Sequence, residues 1–146
     1  MIDMEYRTQL LGAPMFSSWS GTVLEDELEH YTDLYKNKLR PLIRDGDLYH
    51  VLPRPDGINW DGVMYADADS QNELKGCVFL FKPSASAGET VSFRLSGLDA
   101  EKTYVLTCED HADQNRSVSG SVLMGEGITF RIGDPIGSDI IWITED

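Results

Sequence analysis

The residues of this chain that could do chemistry are scattered. His30, His50 and His111 stand far apart in 146 residues, and none forms an H-x-x-x-H pair. The two cysteines, Cys77 and Cys108, form no C-x-x-C pair, so no zinc signature exists. The acidic stretch from Asp67 to Glu73 starts like a calcium loop. Its sixth and twelfth positions are Asn72 and Val78, where an EF-hand needs Gly and Glu, so it reads as an acidic hairpin loop. There is no G-x-S-x-G, no Walker loop and no G-x-G-x-x-G. Glycosidase chemistry needs two carboxylates about 5–10 Å apart. With 25 Asp and Glu residues, the sequence singles out no such pair. No catalytic residue, metal ligand or cofactor is therefore nominated. One cluster offers binding chemistry. Trp60, Asp61 and Tyr65 follow a Pro/Gly-rich loop, and an aromatic platform beside a carboxylate could hold an oligosaccharide. Large aromatic residues at these positions could equally be core or domain interface.

The elements that must position these residues fall into two parts that meet near residue 46. Thr22 and Glu25 have capping-box spacing, which predicts a helix start. Leu24, Leu28, Tyr31, Tyr35 and Leu39 then form one amphipathic stripe. Acids crowd its beginning and Lys36, Lys38 and Arg40 its end, as the helix dipole favours. Pro41 disfavours helical geometry at Arg40, so the helix is expected to stop there. The apolar run from Leu10 to Phe16 fits a buried strand or the tail of another element.

From Asp47 onward, eight short β-rich runs alternate with turn chemistry: 48–52, 62–66, 77–82, 90–95, 103–109, 117–123, 127–132 and 139–144. With no helical pattern among them, they predict a mainly β fold. The expected architecture is an antiparallel β-sandwich of about eight strands preceded by one amphipathic α-helix. Val78-Phe79-Leu80-Phe81 is apolar throughout, which predicts a central strand covered on both faces.

The net charge is −13, and the acidity sits mostly in the second part. Residues 1–46 hold 8 acids and 5 bases, and residues 47–146 hold 17 and 7. Such a chain repels a phosphate backbone, so no nucleic-acid partner is expected. No run approaches 18 apolar residues, so no membrane-spanning helix is expected either. Residues 1–9 contain no apolar h-region, and each cysteine sits in an apolar run. Both features predict reduced thiols in a cytoplasmic protein.

The segment from Tyr35 to Tyr49 (YKNKLRPLIRDGDLY) is the most specific in the chain. It resembles the junction of family-36 glycoside hydrolases, the α-galactosidase class, where the last helix of a catalytic (β/α)8 barrel meets a C-terminal β-sandwich. The stretch from Leu95 to Tyr104 (LSGLDAEKTY) is similar to that family's link between two sandwich strands, with Ala100 in place of the usual Pro. The run from Gly76 to Phe81 also looks like that domain, and Leu10 to Phe16 looks like the end of the barrel. The Ser17-Ser18-Trp19-Ser20-Gly21 stretch departs from the pattern. The resemblance implies residues 1–46 as the end of a barrel and 47–146 as the sandwich. It also implies that the parent's catalytic aspartates would lie before residue 1. The chain would then be a non-catalytic accessory domain with the catalytic barrel as partner. The stripe Leu24, Leu28, Tyr31 and Tyr35 would face missing barrel neighbours. In an isolated chain it must pack on the sandwich or on another copy. The expectation is a homo-oligomer formed through it.

Overall fold

The computed structural model describes residues 2–11 and 25–146. The predicted capping box at Thr22, the apolar position Leu24 and most of the Leu10–Phe16 run lie outside the described residues. Helix α1 spans Ile2–Gln9, and α2 spans Glu25–Leu34. The chain continues through a π-helical turn, Tyr35–Leu39, into α3, Arg40–Asp45. Among the described residues, two helical runs, α1 and the run from α2 through α3, precede the strands, where the sequence pattern predicted one. The expected stop at Pro41 is also corrected. Pro41 occupies the start of α3, where its ring suits the helix and its missing N–H leaves little unmet. Just before it, the Arg40 N–H bonds to Tyr35 O, five residues back, so the ladder changes register ahead of the proline.

The strands are β1 (Asp47–His50), β2 (Asp61–Ala66), β3 (Leu74–Lys82), β4 (Thr90–Phe93), β5 (Thr103–Cys108), β6 (Arg116–Ser119), β7 (Ile128–Arg131) and β8 (Gly137–Glu145). Six form one antiparallel sheet in the order β1-β2-β3-β8-β5-β6, and β4 pairs with β7 in a second. The predicted strand 117–123 is split. Ser119 ends β6, and its hydroxyl accepts from Val122 N to cap helix α4, Gly120–Gly125.

The large sheet is covered on both sides. Alternation along β3 shows how. Val78 and Leu80 enter a core shared with Phe93, Ile128 and Phe130 of the small sheet and Leu123 of α4. Cys77, Phe79 and Phe81 enter a second core with Tyr31, Leu34, Leu39 and Leu42 of the helical layer. The central, two-faced strand expected from the sequence is thereby found. So is the fate of part of the helix stripe: Tyr31 and Leu39 are buried against the chain's own sheet and Tyr35 packs there half-buried, while Leu28 is half-buried outside that cluster. Within the described residues, Tyr31, Tyr35 and Leu39 of the stripe meet the sandwich.

Candidate functional site

The proposed sugar platform does not assemble. Trp60 and Tyr65 are five positions apart along an extended strand, so their side chains leave opposite faces. Trp60 is 6% exposed, packs in the core beneath the small sheet, and donates from Nε1 to Gly88 O at 3.2 Å. Tyr65 is 8% exposed and packs beneath the helical layer. Asp61 is half-buried. Burial, with the Asp56 charge nearby, pushes its carboxyl above the ordinary value. Both rings are structural. The two cysteines also lie on opposite faces of the large sheet, free and buried. Burial pushes each thiol up to about 12, so neither is a nucleophile near neutral pH.

The histidines separate as their spacing suggested. His50 is exposed on the edge strand β1, and His30 Nε2 lies 3.4 Å from Glu109 on the protein surface. His111 belongs to a polar cluster at one end of the large sheet that sequence reasoning missed. There Asp139, fully buried, accepts from the backbone N–H groups of Glu109, Asp110 and His111 at 3.1–3.2 Å. The His111 ring donates from Nδ1 to the same carboxylate at 2.6 Å. Arg7 of α1 reaches this end too, donating to Ser138 O and to Asp110 at 2.6 Å each. The cluster fastens α1 and the loop after β5 to the start of β8. Each member that could act as an acid, base or nucleophile is committed to a structural partner.

A different feature has room for a ligand. A groove of about 420 Å³ lies between the helical residues Asn37, Lys38 and Leu42, the loop before β3, and Thr107 of β5 with Thr144 of β8. Its floor includes Trp142, Leu42 and Leu74, and its rim includes Asn37, Glu73 and Thr107. Trp142 Nε1 donates to Glu109 Oε2 at 2.6 Å, which fixes the ring, and the Lys38 ammonium sits 4.8 Å from the ring centroid. Asn37 and Lys38 are carried by the π-helical turn.

The two most distinctive sequence segments meet in space. Gly97 of the GLD stretch has φ +71°, and a Cβ there would sit 2.7 Å from the Tyr49 ring at the end of the RPLI-GDLY segment. Leu98 is buried in the sandwich core. The Asp99 N–H donates to the hydroxyl of Tyr104, and Asp99 Oδ1 accepts from Glu101 N, both at 2.9 Å. Each motif residue thus shapes the corner that delivers the chain into β5. The family description that fits this arrangement is the glycosyl hydrolase family 36 C-terminal domain, whose model matches residues 60–143. The chain belongs to that family. The family 36 domain is 27% identical over 107 residues to a probable alpha-galactosidase C of Aspergillus flavus, covering 73% of this chain. The same figures hold for the probable alpha-galactosidase C of Aspergillus oryzae. The chain spans 13% of the length of these curated relatives. Among solved structures, the galactosidase domain of an alpha-galactosidase-sucrose kinase superposes with a TM-score of 0.62 at 23% identity. That match covers 85% of this chain and 17% of the other, and it shows a shared fold.

Proposed function

We propose that this domain is the non-catalytic accessory end of an α-galactosidase-like glycoside hydrolase and stabilises a catalytic barrel that performs the hydrolysis. The family match over residues 60–143 carries this reading. The helical layer supports it. Its apolar side is buried on the large sheet, which fastens the chain before Asp47 to the sandwich. A linked barrel would gain a rigid base this way. The chain's own side chains suit that structural role, since the buried polar groups at the sheet end are occupied in holding α1 and the loop after β5. A sugar-binding role through Trp60 and Tyr65 finds no support, because both rings are buried on opposite faces.

The purified chain, incubated with nitrophenyl α-galactoside, should release nitrophenol no faster than buffer. Saturable release that scales with protein concentration would overturn the reading.

A further inference from the structure

We propose that the outer face of the helical run from α2 through α3 is an interface on which a second copy of this chain docks antiparallel. The run is continuous in its backbone: Leu34, Leu39 and Arg40, at its internal boundaries, are all right-handed helical. Residues 25–45 therefore make one rod about 30 Å long. Its inner side is spent on the large sheet, where Tyr31, Leu34, Leu39 and Leu42 are buried. Its outer side is exposed at Asp26, Glu29, Asp33, Lys36, Arg40 and Arg44. The charges on that side are sorted by sign. Glu29 and Asp33 follow one another at i,i+4 in the first half, and Lys36, Arg40 and Arg44 do the same in the second.

This sorting is unfavourable for a helix facing only water. Like charges at i,i+4 destabilise it, where alternating signs would have helped. The helix dipole favours sorted charges only within the first and last turns, and Asp33 and Lys36 sit in the middle. The side chains of Glu29, Asp33, Lys36 and Arg40 make no ion pair among the described residues. A two-fold axis across the middle of the rod answers all of this, because an isologous contact sets residue i against j and j against i. With two rods antiparallel about the Leu34–Tyr35 bond, Asp33 meets Lys36 of the second copy and Glu29 meets Arg40 of the second copy, and each pair occurs twice. Leu28, half-buried outside the core beneath the helices, supplies an apolar contact beside the acidic half. The net charge of −13 is compatible with this contact. Most of the excess belongs to residues 47–146, behind the helical layer, and about 0.15 M salt screens charges more than about 8 Å apart. Exposed ion pairs are each worth little, so the dimer is weak and reversible.

The test is the mass of the whole chain in solution, read by sedimentation equilibrium up to about 1 mM protein, in about 0.15 M and about 1 M salt. The expected result is a monomer–dimer equilibrium that weakens at the higher salt. Asp33→Lys and Lys36→Asp, both at exposed positions, should each weaken the dimer about ten-fold, since each sets like charges against one another twice. The double variant Asp33→Lys with Lys36→Asp restores opposite charges and should bring the affinity back to within about three-fold of the unaltered chain. Far-ultraviolet dichroism identical to that of the unaltered chain shows that each variant is folded. A monomer at every concentration, a dimer that tightens with salt, single variants with unchanged affinity, or a double variant as weak as the singles would overturn the proposal. The accessory-domain reading is tested by nitrophenol release and this one by mass, so either can fail while the other stands.

Discussion

Asp139 is a fully buried carboxylate whose oxygens are saturated by donors. Removing the carboxylate would strand the amides of Asp110 and His111 and the His111 ring N–H. Asp139→Ala should therefore cost about 2–4 kcal/mol, measurable as a lower urea midpoint at unchanged m. Asp139→Asn, which keeps one acceptor oxygen, should fall between. Nothing in the sequence distinguished Asp139 from the other acids, because its role depends on three consecutive backbone amides contributed from a different strand end. The thiols give a second expectation. Burial raises Cys77 and Cys108 from an ordinary 9.0 to about 12, with Asp139 adding to the rise at Cys108. Burial and the bond to Asp3 raise the Tyr31 hydroxyl as well. For groups raised in the folded state, the stabilisation is complete below the unfolded value and is lost as pH climbs through the folded one. The urea midpoint should hold steady from neutrality to about pH 9 as far as these groups are concerned, then fall toward pH 12. A midpoint flat across that window would contradict the burial of these groups.

At the scale of elements, the short β-rich runs between turn residues marked out the eight strands of the described residues. In β4, for example, Val91 and Phe93 alternate with the exposed Thr90 and Ser92, and Phe93 is buried. Errors arose where tertiary contacts chose between local options. The run 117–123 reads as one strand, yet Gly120 must pass so close to the preceding loop that a Cβ would sit 1.9 Å from Asp99 O. The chain therefore turns at Gly120 and begins α4 with a serine cap. Gly120→Ala should cost about 3 kcal/mol or more, because the obstacle is backbone. Gly125→Ala, at the other end of α4 with nothing within 4 Å, should change stability by no more than about 0.5 kcal/mol. Thermal melts of the two variants separate the effects. Pro41 misled for a related reason. The rule that a proline ends a helix assumes an α-helical ladder, and the π-helical turn before it supplies another register.

At the scale of the whole molecule, the family was legible in two marker segments, which touch at Gly97 and Tyr49. The candidate site was not. Trp60 and Tyr65 are close in sequence but diverge by strand parity. Asn37, Thr107 and Trp142 are distant in sequence and converge only once β8 lies between β3 and β5. That insertion also sets how the domain holds together. The ladder β1-β2-β3 and the ladder β5-β6 share no pairing except through β8. Chains lacking residues 137–145 should lose the cooperative thermal transition entirely rather than melt at a lower temperature, as near-ultraviolet dichroism would show.

The position of β8 bears on synthesis as well. A ribosome that has released residues up to Arg131 has made seven of the eight strands, yet the large sheet still lies in two halves, each with an apolar edge open to solvent. Vectorial synthesis leaves the seam until last, so nascent chains of this domain pass through an interval in which a chaperone, or a neighbouring nascent chain, competes with β8 for the same two edges.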